Sequence, residues 1–259
     1  MSPKPRADFA DFSEEETQRY SRNALLAEVG WEGQACWRAG KVLVVGAGGL
    51  GSAALLYLAA AGVGRLGVVD GDAVELSNLQ RQILYRSAQA GWRKAASAAA
   101  SLTALNPHCR VATFDLRLAP DNVRDVVQGF EVVLDASDNF PTRFLLAECC
   151  WRQGLPLVSA AATGWHGQLL VAAPGPANPC YRCLVPETPP AAAVPASTAA
   201  GILGAVAGAL GCLQAVEALK LLLGRDSDLT RRLLAYDGLQ GRFQSVDRVK
   251  RPDCPLCGP

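Results

Sequence analysis

A polar loop at residues 70–82 combines side chains that suit a phosphate-rich ligand. Its sequence, DGDAVELSNLQRQ, contains Asp70, Asp72, Asn78, Arg81 and Gln82. The arginine offers a forked cation and the asparagine an amide donor, and both can bind phosphate oxygens. Lys94, in the motif GWRK, adds a point charge shortly after the loop. Together these side chains indicate a site that neutralises a triphosphate.

A glycine-rich turn precedes this loop. The motif GAGGLG places Gly46, Gly48 and Gly51 in G-x-G-x-x-G spacing, after an apolar run that predicts a buried strand. Such glycines allow a tight turn and let backbone amides approach phosphate oxygens at a helix N-terminus. Asp70 ends the next predicted strand, where a carboxylate can bind ribose hydroxyls. The turn predicts a nucleotide site, but NAD-dependent oxidoreductases share it, and a corner without a ligand is a further alternative.

A second acidic segment, DASDN, lies near the end of a later predicted strand. It contains Asp135 and Asp138, and ligand sites in α/β sheets open at the carboxyl ends of strands. Magnesium in proteins commonly uses one or two carboxylates together with phosphate oxygens. Any one of these charges alone would suit a solvated loop. Their combination with the basic loop favours ATP with Mg²⁺ over a dinucleotide.

Two cysteine pairs have the spacing of a metal site. CYRC contains Cys180 and Cys183, and CPLC contains Cys254 and Cys257. Each pair can present two thiolates to one tetrahedral Zn²⁺, and four cysteines leave no position for substrate. We therefore expect a structural zinc clasp, with redox pairs or unpaired thiols as the alternative. The total of nine cysteines is odd, which argues against a complete disulfide framework.

Strands and helices are predicted to alternate from about residue 41 to 160, as in a doubly wound, mostly parallel, Rossmann-like α/β sheet. Ser13 and Glu16 have capping-box spacing at the start of a first helix. The predicted helices cover 14–26, 50–62, 88–105, 121–128, 140–154 and 199–223. The predicted strands cover 41–46, 65–70, 110–118, 131–139, 156–162, 167–174, 232–237 and 241–249. The C-terminal half is therefore more elaborate than a plain doubly wound fold.

Composition narrows the class of protein. The chain has 259 residues, half of them hydrophobic, which suffices for one domain with a large core. Its formal net charge of +1 gives no sign of a nucleic-acid or membrane surface. The apolar run at 199–213 is shorter than the roughly 20 residues of a membrane span, so it predicts a core helix. The N-terminus has no apolar signal core, and we expect a cytoplasmic protein.

The motifs GAGGLGS, VVDGDAVELSNLQRQ, GWRK and LDASDN, followed by the two cysteine pairs, resemble the HesA/MoeB/ThiF family from about residue 14 to the C-terminus. These bacterial relatives of ubiquitin-activating enzymes adenylate small sulfur-carrier proteins. The resemblance implies a homodimer that binds ATP, Mg²⁺ and a ubiquitin-like carrier ending in Gly-Gly. It also implies zinc at the cysteine clasp.

The resemblance assigns roles to individual residues. The ATP site would comprise Gly49, Asp70, Ser77, Asn78, Arg81, Lys94, Asp138 and Asn139, to which the motifs above add Gly46, Gly48, Gly51, Asp72 and Gln82. Asp138 would be the magnesium-linked carboxylate. Arg22, in RYSRN, would reach the phosphates of the partner subunit, although a surface charge is the alternative. Arg81, Lys94, Asp138 and Arg22 are the predicted catalytic residues.

The expected reaction is attack of the carrier's terminal glycine carboxylate on the α-phosphate of ATP, with release of pyrophosphate. Many relatives have a cysteine between the first zinc pair and the long helix, whereas this chain has Ser197 there. We therefore expect no covalent thiol step, a separate sulfur-donor protein, and no sulfurtransferase domain after Cys257. Within a single domain over 1–259, residues 14–160 would bind ATP and 161–259 would bind zinc and carrier. The alternatives are an NAD-dependent oxidoreductase with a structural zinc and a non-catalytic carrier-binding module.

Overall fold

The computed structural model describes residues 12–189 and 201–258, and its strands follow the predicted alternation. The strands are β1 (Lys41–Val45), β2 (Arg65–Val69), β3 (Arg110–Phe114), β4 (Val132–Asp135), β5 (Leu157–Thr163), β6 (His166–Ala172), β7 (Arg232–Asp237) and β8 (Arg242–Asp247). The helices are α1 (Glu14–Ala24), α2 (Gly30–Ala39), α3 (Gly49–Ala60), α4 (Lys94–Leu105), α5 (Val123–Val127), α6 (Phe140–Arg152), α7 (Tyr181–Leu184) and α8 (Gly204–Leu222).

All eight strands form one sheet in the order β3-β2-β1-β4-β5-β6-β7-β8. Strands β1 to β5 pair in parallel, and β6, β7 and β8 extend the sheet in antiparallel pairings. The strand order reverses between β1 and β4, which is where ligands bind in open α/β sheets. The predicted doubly wound, mostly parallel sheet with an elaborated C-terminal half is confirmed.

Two hydrophobic cores lie on opposite faces of this sheet. Alternating strand residues supply both cores, because successive side chains of a strand point to opposite faces. In β1, Val42 and Val44 pack with α3, α4 and α8, whereas Leu43 and Val45 pack with α5 and α6. The sheet is therefore covered on both sides over its parallel half, as its continuous apolar strands indicate.

Helix α8 packs in the hydrophobic core through Val206, Leu210 and Leu222, as predicted for this segment. Among the helices that the structure describes, α8 alone is long and apolar enough to cross a membrane, and half of that stretch is buried. It packs against α3, and Gly211 lies so close to α3 that a Cβ there would meet the backbone oxygen of Leu50. The amide of Gln214 donates to the carbonyls of Asp135 and Val158, at 2.8 and 3.0 Å. The helix is thereby fixed to both β4 and β5.

The ends of several elements differ from the prediction. Helix α4 begins at Lys94 instead of residue 88, because Gly91 has φ +86° and Arg93 pairs with Ala73 in an isolated bridge. Helix α2 was not predicted, since its sequence GWEGQACWRA has two glycines and no clear apolar period. The capping box of α1 is confirmed: Ser13 and Glu16 exchange backbone-to-side-chain hydrogen bonds of 3.0 and 3.2 Å.

Candidate active site

A cleft of about 1560 Å³ runs along the carboxyl edge of the parallel strands. Helices α3, α4 and α6 all begin at this edge, so their free N–H groups and partial positive charges favour an anionic ligand. Twelve of the predicted ATP-site residues line the cleft: Gly46, Gly48, Gly49, Asp70, Asp72, Ser77, Asn78, Arg81, Gln82, Lys94, Asp138 and Asn139. Two predicted residues, Gly51 and Arg22, do not line it.

The glycine loop turns sharply between β1 and α3. Gly46 has φ +93°, and a Cβ there would lie 2.7 Å from the carbonyl oxygen of Ala136 in the loop after β4. A Cβ at Gly51 would lie 1.9 Å from the carbonyl oxygen of Gly46. Gly51 is thus a packing residue that lets α3 approach β1, whereas Gly48 and Gly49 face the cleft. The prediction that Gly51 contacts the ligand is replaced by this packing role.

Asp70 and Lys94 form the buried base of the cleft. The two oxygens of Asp70 accept the backbone N–H groups of Ala47 and Asp72, both at 2.9 Å, so the carboxylate braces the glycine loop. Burial raises the pKa of Asp70, and Lys94 opposes that shift. The Lys94 ammonium lies 4.0 Å from Asp70 and 3.5 Å from Asp72, with only 7% of the side chain exposed. Because two carboxylates hold it in place, this cation is pre-positioned for a phosphate.

In this part of the cleft, Arg81 is the cation whose charge is least neutralised by nearby carboxylates. Its Nη1 donates to the carbonyl oxygen of Ser77 at 3.4 Å, and within residues 12–189 and 201–258 it forms no ion pair with a carboxylate. Neighbouring Gln82 is buried, and its Oε1 has no hydrogen-bond partner among the described residues. The loop therefore offers the charge of Arg81 to a polar ligand, and Gln82 lies behind it with a buried acceptor.

Asp138 and Asn139 lie where β4 leads into α6. Asn139 caps α6 by accepting the N–H of Thr142 at 3.0 Å, and its amide donates to Asp138 at 3.3 Å. Asp138 is exposed and, over the described part of the chain, has no cationic partner. Its carboxylate is free to bind a cation of the ligand.

Asp135, which sequence analysis placed beside Asp138 as a ligand-site acid, is a core residue. It is fully buried, and its oxygens accept the hydroxyls of Ser137 and Ser159 at 2.6 and 2.7 Å. Asp135 belongs to strand β4 and its side chain points to the α6 face, so it cannot reach the cleft. Its role is to join β4 to β5.

Sequence reasoning missed Arg117, which follows β3 and lines the cleft. Its Nη2 donates to the second oxygen of Asp72 at 2.9 Å, so Asp72 lies between Arg117 and Lys94. These two cations lower the pKa of Asp72 although partial burial raises it. The signal was available in the sequence, since DLRL places this arginine directly after a predicted strand end.

Arg22 lies on the exposed side of α1, outside the cleft of its own chain. Leu25 and Leu26 lie three and four residues after it and are exposed, with 73% and 53% of their surface accessible. The contact of Arg22 with a partner subunit stays a prediction. Ser197 falls outside the described residues.

The four predicted zinc ligands converge. Their sulfur atoms all lie within 4.8 Å of one another, with Cys180 to Cys254 at 3.5 Å and Cys183 to Cys257 at 3.3 Å. Tetrahedral zinc with Zn–S bonds of about 2.3 Å requires sulfurs about 3.8 Å apart, so the cluster fits the ion. Although burial opposes it, the amides of Cys257 and Leu256 lower the pKa of Cys254 to about 7. Such N–H···S contacts favour the thiolate that a metal requires.

The comparison that decides the family covers nearly the whole chain. The sequence profile of the ThiF family matches residues 20–256. The chain belongs to the ThiF family. The predicted resemblance is confirmed.

Curated relatives of this ThiF-family chain are close in sequence. It is 49% identical over 240 residues to the SAMP-activating enzyme E1 of Haloferax volcanii, covering 93% of this chain and 88% of that protein. It is 45% identical to the sulfur carrier protein adenylyltransferase of Thermus thermophilus, covering 95% of this chain and 93% of that protein. It is also 49% identical to the mouse adenylyltransferase and sulfurtransferase MOCS3, but spans 56% of that protein's length.

The solved structures that resemble the chain have the same fold at lower identity. Escherichia coli MccB, solved with succinimide, superposes with a TM-score of 0.80 at 20% identity, over 97% of this chain and 76% of MccB. At that identity the likeness concerns the fold. It supports the doubly wound α/β fold described above.

Proposed function

We propose that this chain is an ATP-dependent adenylyltransferase that activates the C-terminal glycine carboxylate of a small ubiquitin-like sulfur-carrier protein. The observation that carries the proposal is the composition of one cleft. It combines the glycine loop, the cation of Lys94 held by two carboxylates, and two charges that have no ion-pair partner among the described residues, those of Arg81 and Asp138. The names of its close relatives, which include a sulfur carrier protein adenylyltransferase, support the same activity.

The chemistry explains why cations and amides outnumber candidate bases in this cleft. The carrier's carboxylate is already anionic, so its attack on the α-phosphate needs no general base. Catalysis then depends on alignment and on stabilising the charge that develops as pyrophosphate leaves. Arg81 and Lys94 would bind the phosphate oxygens, and Asn78 would donate its amide. Asp138 would bind the Mg²⁺ that accompanies the nucleotide.

Asp70 would accept the ribose hydroxyls while it holds the glycine loop. Each of its oxygens accepts one backbone N–H, which leaves lone pairs for a second donor. Its raised pKa does not oppose this role, because either protonation state can hydrogen-bond a hydroxyl. Two alternatives fit the cleft less well. An oxidoreductase would have little use for the free charge of Arg81, and a carrier-binding module would have little use for side chains that bind phosphate.

Zinc would have a structural role at the cysteine clasp. Cys180 directly precedes the short helix α7 and Cys183 lies within it, whereas Cys254 and Cys257 lie after β8. The metal would join the C-terminal segment to the middle of the chain. Because four thiolates complete its coordination, the ion would take no part in the reaction.

The remaining features of the proposal follow from the family. We propose a cytoplasmic homodimer acting as a single domain, with residues 14–160 binding ATP and 161–259 binding zinc and the carrier. A partner that covers Leu25 and Leu26 would lie beside Arg22, which is consistent with a role for that arginine across the interface. Since Ser197 replaces the expected cysteine, a separate protein would donate sulfur to the acyl-adenylate.

Intact-mass analysis of the carrier tests the reaction directly. After incubation with ATP, Mg²⁺ and the enzyme, a carrier ending in Gly-Gly should gain the mass of an adenylyl group, which is AMP less one water, because the acyl-adenylate keeps the α-phosphate and pyrophosphate leaves. The matched control is the same carrier without its last glycine, which should gain nothing. A phosphate or pyrophosphate adduct, or equal labelling of the truncated carrier, would contradict adenylation of the terminal carboxylate.

A further inference from the structure

The cleft continues beyond the nucleotide loops across the face of the sheet that carries α6. Strand pairing places Thr163, His166, Asp237 and Arg242 side by side at the ends of β5, β6, β7 and β8. A second row behind them holds two alanines and the two glutamines Gln168 and Gln244. All eight residues line the cleft. We name these two rows the cleft floor.

The cleft floor suits an extended, polar peptide. Its side chains are polar except for the two alanines, so it offers mainly hydrogen-bonding groups. The floor and the glycine loop open at the same edge of the sheet, because the antiparallel strands return to the carboxyl ends of β1 to β5. A peptide lying on it would therefore point towards the nucleotide loops.

Arg242 is the unneutralised charge of the cleft floor. The neighbouring carboxylate of Asp237 accepts the N–H groups of Leu239 and Gln240, at 3.0 and 3.1 Å, within the β7–β8 turn. The same carboxylate lies 3.9 Å from His166. Over residues 12–189 and 201–258, Arg242 makes no ion pair and no side-chain hydrogen bond, and it is exposed. Its charge is available to an anion that binds from outside.

The strand count indicates where that anion lies relative to the reacting atoms. Strand β8 is four positions from β4, after which Asp138 lies. At about 4.8 Å per strand, the separation is about 19 Å. An extended peptide rises about 3.3 Å per residue, so about six residues span it. A carrier tail whose terminal carboxylate meets the α-phosphate would place a residue about six positions earlier beside Arg242.

We infer that Arg242 is a specificity residue that binds an acidic side chain of the carrier about six residues before its C-terminus. The inference rests on the proposed function, because it assumes that the occupant of the cleft floor is the carrier tail. Charge complementarity across such a rim contact mainly affects partner choice and association. Carriers with an acid in that window bind well, and carriers without one are discriminated against.

The test measures pyrophosphate exchange with the Gly-Gly-terminated carrier that the wild-type enzyme activates. Arg242→Glu should raise the KM for the carrier about 10-fold or more, because attraction becomes repulsion, and leave kcat and the KM for ATP almost unchanged. Replacing carrier acids at positions four to eight from the C-terminus singly by Lys should identify one variant that restores the KM of Arg242→Glu. The matched control is Arg232→Glu, at the opposite end of the same strand pair and outside the cleft.

The outcomes separate this inference from the proposed function. An unchanged carrier KM in Arg242→Glu, an equal effect in Arg232→Glu, or a change confined to the KM for ATP would overturn the inference while exchange itself persists. A carrier that is activated well without any acid in the window, or a failure of every Lys variant to compensate, would overturn it too. Absence of exchange by the wild-type enzyme with every carrier would instead reject the proposed function, and the inference with it.

Discussion

Arg81→Ala is expected to lower kcat/KM for adenylation by about 10²–10³-fold or more, the cost of losing one preorganised charged donor to a transition state. The physical reason is that Arg81 forms no ion pair in the described parts of the chain, so its whole charge is available to the phosphates. Lys94, by contrast, is shared between two carboxylates and cannot substitute for it. Carrier-dependent pyrophosphate exchange measures the loss.

Two further variants make this result interpretable. Arg81→Lys keeps the charge but loses the fork, so its activity should lie between those of the wild-type enzyme and Arg81→Ala. Arg124→Ala removes an exposed arginine of α5 that does not line the cleft, and should leave activity unchanged. The melting temperature of all three should match the wild type, because within the described residues the Arg81 side chain makes a single, long hydrogen bond of 3.4 Å. Full activity of Arg81→Ala would contradict the assigned role.

Cys254→Ser should remove most of the zinc and destabilise the chain by at least about 3 kcal/mol, since the loss of a metal is among the largest single-residue effects. For a chain of this size that corresponds to a fall of roughly 6–12 °C in melting temperature. The geometry supports the expectation, because Cys254 lies 3.5 Å from Cys180 across the clasp and is buried. Metal analysis of the purified protein should find about one zinc ion per wild-type chain and a small fraction of that in the variant.

Cys36→Ser is the matched control for the clasp. Cys36 is a partly exposed thiol of α2 and does not belong to the four-cysteine cluster. Its replacement should leave zinc content unchanged and stability nearly so. Removal of zinc by a chelator should reproduce the lowered stability of Cys254→Ser in the wild type and have no further effect on that variant. Equal zinc in both variants would show that the clasp does not bind the metal.

The elements of the fold could be predicted where the sequence has a local signal. Continuous apolar runs at 41–45 and 65–69 indicate buried parallel strands, and the glycine turn between them marks the start of α3. The two C-x-x-C units likewise reveal their common purpose by spacing alone. Each of these motifs is local in sequence because its physical requirement, such as a tight turn or two ligands for one metal ion, involves only a few neighbouring residues.

What the sequence does not show are relations between distant segments. Asp135 and Asp138 are close in the chain and equally acidic, but one points into the core towards Ser159 and the other into the cleft. What distinguishes them is that β4 ends at Asp135, which faces Ser159 of β5, whereas Asp138 lies beyond the strand. The same holds for Arg117, whose partner Asp72 lies far from it in sequence, and for Arg242, whose significance depends on the register of β7 and β8.

The most direct measurement is ATP–pyrophosphate exchange by purified, zinc-loaded protein, with and without each small Gly-Gly-terminated carrier of the host. The cleft should catalyse exchange only when a carrier is present, because the attacking carboxylate belongs to that protein. Exchange that depends on one carrier would establish adenylation and identify its substrate. A well-folded protein that produces no exchange with any of these carriers would contradict the proposed activity.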